Sequence, residues 1–354
     1  MVFLRILSSP TLAQLSEFDE IIDVRSPSEF ALDHVPGAKN YPVLNDAERA
    51  KVGTLYTRES PFLAKKVGAA IVSRNIAGHI EASFMDKPKS WKPLVYCWRG
   101  GKRSGSMAHI LSEIGWQTAR LDGGYKAYRK MVLEALEILP EKFGFKVICG
   151  PTGCGKSRLL EALAKVGAQV LDLEAMALHK GSVLGNMPGI PQPSQKYFES
   201  RLWSALSGFD PSRPVYVESE SKKIGELRVP QSLIDAMWTS QCIRIDAEFE
   251  TRSAILSEDY AHFFSQPEVL VEKLECLAPL HGNETISAWI GMIEKREWHA
   301  LVSSLLAQHY DPAYKKSIER HYPGYGEMPV YRISSPDESS FMDLANRICG
   351  HPMV

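Results

Sequence analysis

Leu94-Val95-Tyr96-Cys97-Trp98-Arg99-Gly100-Gly101-Lys102-Arg103-Ser104-Gly105-Ser106 is the stretch on which the reading of this chain turns. The apolar run at 94–96 reads as a buried strand, and Met107, Ile110, Leu111 and Ile114 recur at helical spacing. Cys97 therefore stands at the end of a strand, followed by a glycine-rich loop that runs into a helix N-terminus. Successive backbone N–H groups, the helix dipole and the cations Arg99, Lys102 and Arg103 favour thiolate over thiol and would cradle an anion bound to it. The candidate site is thus Cys97 as nucleophile, in a cradle of Arg99, Gly100, Gly101, Lys102, Arg103 and Ser104. A buried, inert thiol is the alternative, but two glycines and three cations have no packing reason to crowd one cysteine.

Upstream, Ile21-Ile22-Asp23-Val24-Arg25 reads as a short strand ending in charge, and Ser26-Pro27-Ser28-Glu29 as a helix start. Downstream, Ala119-Arg120-Leu121 followed by Asp122-Gly123-Gly124 reads as a last strand and turn. Strands alternating with helices imply a mostly parallel sheet covered on both faces, which places sites at the carboxyl ends of its strands. Residues 126–142 read as a helix closing this domain, 1–140. Phe145-Lys146-Val147-Ile148-Cys149 opens a second domain, 141–354, with further strands at 169–173, 214–218 and 242–246 and a largely helical remainder. The fold class expected is α/β in both domains, with a helical C-terminal part.

Gly150-Pro151-Thr152-Gly153-Cys154-Gly155-Lys156-Ser157 matches G-x-x-x-x-G-K-[ST] without a mismatch, after a strand and opening a helix, which is the context that makes it a P-loop. Its N–H groups would wrap a diphosphate, Lys156 would neutralise the outer phosphate, and the Ser157 hydroxyl would hold Mg²⁺. The pattern alone does not make the ligand ATP or require hydrolysis. Asp172, Glu174, Glu218 and Glu220 follow strands; Glu218 is the carboxylate expected to join Ser157 on Mg²⁺, the other reading being a solvated strand end. Ser194-Gln195-Lys196 and Ser221-Lys222-Lys223 are candidate phosphate contacts. His34, His79, His109 and His179 lack metal-ligand spacing and read as structural.

The whole chain of 354 residues carries a net charge of −1, with 44% hydrophobic and 23% charged residues, an ordinary globular composition long enough for two cores. A slight basic surplus in residues 1–142 balances a slight acidic one in the rest, which neither requires nor excludes nucleic acid. Six scattered cysteines without C-x2-C pairs fit a reducing cytoplasm and no disulfide framework. The apolar start is broken by Arg5, and nowhere do apolar residues run long enough to span a bilayer, so no membrane is expected.

These residues carry a resemblance. Ile22-Asp23-Val24-Arg25 with Glu29-Phe30 and His34-Val35-Pro36-Gly37-Ala38-Lys39-Asn40, then the Cys97 loop and Leu121-Asp122-Gly123-Gly124-Tyr125, resemble the rhodanese family over residues 8–135. Combined with the P-loop, Gln192-Pro193-Ser194-Gln195-Lys196, Val217-Glu218-Ser219-Glu220-Ser221 and Lys223-Ile224-Gly225, the chain resembles the tRNA 2-selenouridine synthase family throughout. That resemblance implies a transferase that replaces sulfur by selenium at the wobble 2-thiouridine of certain tRNAs. It implies selenophosphate as selenium donor, a geranylated thiouridine made from geranyl diphosphate, and a chalcogen carried on Cys97. The partner is then the tRNA anticodon stem-loop, and no tightly bound cofactor is implied.

The basic residue closing a rhodanese-like cradle usually stands five positions after the cysteine, where Lys102 does; Arg103 at six gives the longer phosphatase-type spacing. Either can complete the cradle, and a wider loop would suit a tetrahedral selenophosphate. Ten carbons of prenyl chain further require an apolar groove near the P-loop. Lys65, Lys66, Arg74, Lys126, Arg129 and Lys130 are candidate RNA phosphate contacts. The rival readings are a sulfurtransferase or phosphatase fused to an ATP-binding, kinase-like domain, and an inert rhodanese-like docking module.

Overall fold

Five parallel strands form the first sheet: β1 (Arg5–Leu7), β2 (Glu20–Asp23), β3 (Ala38–Asn40), β4 (Pro93–Tyr96) and β5 (Ala119–Leu121), in the order β1-β5-β4-β2-β3. The computed structural model describes residues 5–8, 11–187, 189–322 and 324–350. Helices α1 (Leu12–Leu15), α2 (Pro27–Leu32), α3 (Asp46–Thr54), α4 (Pro61–His79), α5 (Lys102–Ile114) and α6 (Gly124–Ile138) connect these strands. Capping boxes start α1, α2 and α3, and Gly115 at φ +109° stops α5, so each boundary follows from local chemistry. Ile22, Val24, Val95, Met107 and Leu111 are buried between the sheet and its helices. This central strand pair, β2 and β4, carries Asp23 and Cys97 at neighbouring carboxyl ends, as Asp23 is in register with Tyr96.

The compact unit built on this sheet closes at Leu136 and also takes in Pro193–Gly208. A division at residue 140 would give that segment to the second domain, but its helix, Gln195–Gly208, buries Trp203 edge-on against Tyr128 of α6 and packs Tyr197 beside His34. The helix has an apolar face that the first unit covers.

The second unit comprises Glu137–Gln192 and the chain from Phe209 onward. Its sheet is also parallel: β6 (Phe145–Cys149), β7 (Gln169–Leu171), β8 (Val215–Glu218), β11 (Gln241–Ala247) and β12 (Val330–Ile333), ordered β12-β11-β6-β8-β7; β9 (Lys223–Ile224) and β10 (Leu227–Arg228) make a separate small ladder. The P-loop strand β6 is central, with β8 as its direct neighbour. Helices α7 (Lys156–Lys165) and α8 (Leu173–Ala177) follow β6 and β7. Between β11 and β12 lies a helical cluster whose core includes Leu270, Leu274, Trp289, Leu301 and Leu305. Both units are α/β, the second with the helical part the sequence predicts. Among the described residues no helix is long and apolar enough to cross a membrane.

Candidate active site

Cys97 follows β4 directly and is 3% exposed. The loop from Cys97 to Gly101 turns into α5, whose first turn has no side-chain cap, and Ser104 in that turn donates its hydroxyl to Cys97 Sγ at 3.2 Å. A helix N-terminus and a hydroxyl donor thus converge on one sulfur. The loop is held from behind by the Gly123-Gly124 turn. A Cβ on Gly124 would stand 2.2 Å from the Cys97 carbonyl oxygen and 2.4 Å from the Gly100 nitrogen, and Gly124 has φ +56°. Only glycine admits both the close approach and the conformation. Tyr125 N–H then donates to the Cys97 carbonyl at 2.8 Å, and Lys126 N–H to that of Trp98 at 3.0 Å.

Underneath lies a buried polar network. Arg25, 1% exposed, pairs with Asp23 through Nε at 3.0 Å and Nη2 at 2.6 Å, donates to the Asp33 carbonyl at 2.6 Å, and lies 4.0 Å from the Tyr125 ring centre. Tyr125 OH donates to Asp33 at 2.7 Å, and Val35 N–H donates to Tyr96 OH at 3.1 Å. These bonds join the segments after β2 to the segments flanking the cysteine, so the Asp23–Arg25 motif positions the loop from a distance in sequence.

The cations of the cradle divide. Arg103 is bound by Glu29 at 2.8 Å, with a second contact at 3.4 Å. Burial raises the Glu29 carboxyl, and Arg103 with the Ser26 N–H outweighs it, holding Glu29 below the ordinary glutamate range. Arg99 and Lys102 are exposed, and among the described residues no carboxylate pairs with either. Lys102, not Arg103, is therefore the unpaired member of the two.

In the second unit Gly153 and Gly155 have φ +84° and +78°, and a Cβ on Gly155 would fall 2.5 Å from the Phe341 ring. Cys154 is fully buried, so it serves packing. Arg252 braces the loop, donating to the Thr152 carbonyl at 2.9 Å while pairing with Asp311. Lys156 Nζ donates to the Gly150 carbonyl at 2.9 Å. Pro151 and Thr152 complete the turn.

Ser157 Oγ donates to Glu174 at 3.0 Å, so the structure brings Ser157 to Glu174 rather than to Glu218. Glu218, 1% exposed, accepts the Glu174 N–H at 2.8 Å through one oxygen, while Oε2 has no partner. Glu220 completes the group: a Cβ on Gly181 would meet Glu174 at 2.6 Å and Glu220 at 2.8 Å. Burial and then the Glu174 charge push Glu220 up to about 8, while burial and the charges of Asp172, Glu174 and Glu220 raise Glu218 well above its ordinary range. Among the described residues no three or more His, Cys, Asp or Glu are arranged to hold a metal unaided.

A cleft of about 350 Å³ opens over Lys156, Ser157 and Glu174 and reaches Lys180, Tyr260 and Tyr314. An apolar recess of about 50 Å³ adjoins it, sharing Thr152, Leu256, Tyr260 and Tyr310 and running on to Leu184, Phe263, Leu270 and Leu305. The P-loop motif announces the phosphate cradle, but nothing in it announces this recess, most of whose walls come from helices about a hundred or more residues downstream.

The other candidates make contacts of their own. Ser194 donates to the Leu32 carbonyl, and Lys196 lies on the helix Gln195–Gly208 of the first unit. Lys222 lies 5.0 Å from the Trp238 ring. Arg129 is bound to Glu199, whereas Lys65, Lys66, Arg74, Lys126 and Lys130 are exposed. His34 stacks on Phe30 at 3.9 Å, His79 bonds the Pro42 carbonyl at 3.0 Å, and His179 is buried, all in structural settings.

The geometry defines a rhodanese-like domain joined to a P-loop domain. Residues 8–131 match the rhodanese-like domain model, and residues 143–296 match the tRNA 2-selenouridine synthase AAA domain. Proteins named tRNA 2-selenouridine synthase from Bdellovibrio bacteriovorus (35% identical, covering 85% of this chain and 89% of the relative) and Alcanivorax borkumensis (32%, 85% and 90%) align along most of their length. The one from Nitrosomonas europaea is 38% identical over 68% of this chain, and the match spans 63% of that relative. This chain belongs to the tRNA 2-selenouridine synthase family.

Proposed function

We propose that this chain replaces sulfur by selenium at the wobble 2-thiouridine of tRNA in two half-reactions, one at each loop. In the first, the P-loop N–H groups and Lys156 bind the diphosphate of geranyl diphosphate, and the thiocarbonyl sulfur takes the prenyl chain as diphosphate leaves. The oxygen pair Ser157 and Glu174, backed by Glu218, suits Mg²⁺, which would neutralise charge on the leaving diphosphate. In the second, Cys97 Sγ attacks C2 of the base and expels geranylthiol, and the selenide-level selenium of selenophosphate held in the cradle then attacks C2 and expels Cys97. Overall the C2–S bond breaks as C2–Se forms, geranylthiol leaves, and selenophosphate with water becomes phosphate.

The observation that carries this reading is the apolar recess opening directly off the P-loop cleft. A prenyl diphosphate places its chain against such a wall when its phosphates occupy the loop. At about 0.8 kcal/mol per buried CH2, even half the chain is worth several kcal/mol.

Replacing Lys156 by Ala should abolish geranylation of a 2-thiouridine anticodon stem-loop while leaving selenation of the pre-geranylated RNA. Cys97→Ala should do the reverse. Nucleoside mass spectrometry separates the products, and a Lys156→Ala protein that still geranylates would remove the P-loop from this role.

A further inference from the structure

The first unit contains a second apolar cavity that neither half-reaction has used. It measures about 600 Å³ and is walled by Leu44, Val52 and Val72 and by the short side chains of Ala64, Gly68 and Ala69. Since roughly 10–15 Å³ of such space admits one water, this is far more than a hydration pocket needs. Ala64, Gly68 and Val72 recur every fourth residue along α4, so one face of that helix is kept low, and Val52 packs close over Gly68 where the two meet in the cavity wall.

The cavity lies against the same helical turn that serves the thiol. Lys102, Arg103 and Ser106 at the start of α5 form one edge, while Ser104 of that turn bonds Cys97 Sγ. Lys65 and Tyr56 lie on the opposite edge, both exposed. Apolar walls and a cationic rim fit a ligand that is apolar at one end and carries phosphodiesters at the other.

We propose that this cavity holds the alkyl chain of an S-alkylated 2-thiouridine in RNA while its C2 is presented to Cys97, with Lys65 on a flanking phosphate. The inference rests on the two-step reading above. It adds that the rhodanese-like unit has its own subsite for the chain, separate from the recess beside the P-loop, so that the apolar group is a recognition handle in the second half-reaction as well as a leaving group.

The test uses the full chain, selenophosphate, and two synthetic anticodon stem-loops bearing S-geranyl-2-thiouridine or S-methyl-2-thiouridine, with selenouridine measured by mass spectrometry. The wild type should favour the geranyl substrate in kcat/KM by at least tenfold. Ala69 is exposed at the cavity edge, so Ala69→Phe fills the cavity from a position open to solvent. It should cut that ratio at least fivefold, as should Ser73→Phe, whereas Ala70→Phe on the adjacent position should leave the ratio as it is. If both filling variants keep the wild-type ratio, or slow the two substrates equally because the nucleobase itself occupies the space, the cavity proposal is overturned and the two-step reading stands. If the wild type converts a plain 2-thiouridine stem-loop but neither S-alkyl RNA, the two-step reading fails and takes the cavity proposal with it.

Discussion

The loop after β4 and the loop after β6 are the same backbone device in opposite electrostatic settings. Each follows a central parallel strand, turns on glycines and opens a helix. Around Cys97 the nearby carboxylate, Glu29, is occupied by Arg103, leaving Arg99 and Lys102 exposed. Around Ser157 the carboxylates Glu174, Glu218 and Glu220 cluster together, and burial raises all three above the ordinary glutamate range. The first site can take a multiply charged anion on its own cations. On the proposed reading the second sheds negative charge, by protonation or to a divalent cation, when it takes a diphosphate, which predicts that it is the pH- and metal-sensitive half of the molecule.

The contrast can be broken most severely at Gly124. Gly124→Ala drives a methyl group into the Cys97 carbonyl. Since misplacing a reacting group by about 1 Å costs on the order of 100-fold, selenation of geranylated RNA should fall by about that factor with geranylation unchanged. Selenation within threefold of wild type would show that the turn does not set the loop. Ser104→Ala removes the donor on Cys97 Sγ, and the loss of one hydrogen bond, about 0.5–1.5 kcal/mol, should slow selenation about two- to tenfold in single-turnover kinetics.

At the P-loop the comparison is sharpened by pH. Glu220, pushed up to about 8, is uncharged below that value and charged above it. Affinity for inorganic diphosphate without Mg²⁺ should therefore fall as pH rises from 7 to 9, by about tenfold, and Glu220→Gln should flatten the profile in calorimetric titrations. The same raised value means that the folded chain binds a proton the unfolded chain releases, so Glu220's contribution to stability is present at acid pH and is lost as pH rises through 8. An equal slope in the Gln variant would assign the titration elsewhere. The smallest effect concerns the two cations of the cradle. Lys102→Gln should raise the KM for selenophosphate several-fold, whereas Arg103→Gln should chiefly lower stability, by about 1 kcal/mol, because its half-buried guanidinium already has a partner in Glu29. A larger KM change for Arg103→Gln would reverse their roles.

Both loops were legible in the sequence because strand, glycine loop and helix are contiguous there, whereas the choice between Lys102 and Arg103 needed the Glu29 ion pair. Asp23 and Arg25 were legible as strand-end charges, but their hold on Tyr125 and Asp33 depends on two strands meeting in register, which no local pattern shows. Glu174 was one of four strand-end carboxylates, of which the sequence reading favoured Glu218; the geometry that sets Glu174 against Ser157 comes from the short turn between β7 and α8. Edge strand β1, three residues with Arg5 and Ile6 exposed, has too little apolar content to stand out before β5 pairs with it. The walls of both apolar cavities come from residues that individually read as ordinary helix cores.

The helix Gln195–Gly208 carries one more consequence, for how the molecule is made. Because this late segment covers Tyr128 and binds Arg129, the first unit is not a segment that ends where its sheet ends. A ribosome must deliver residue 208 before that unit can close, by which time β6, the P-loop and β7 have already left the tunnel. The two halves of the enzyme are thus interleaved during synthesis, and a fragment cut at residue 140 would emerge with the ring of Tyr128 uncovered and prone to association.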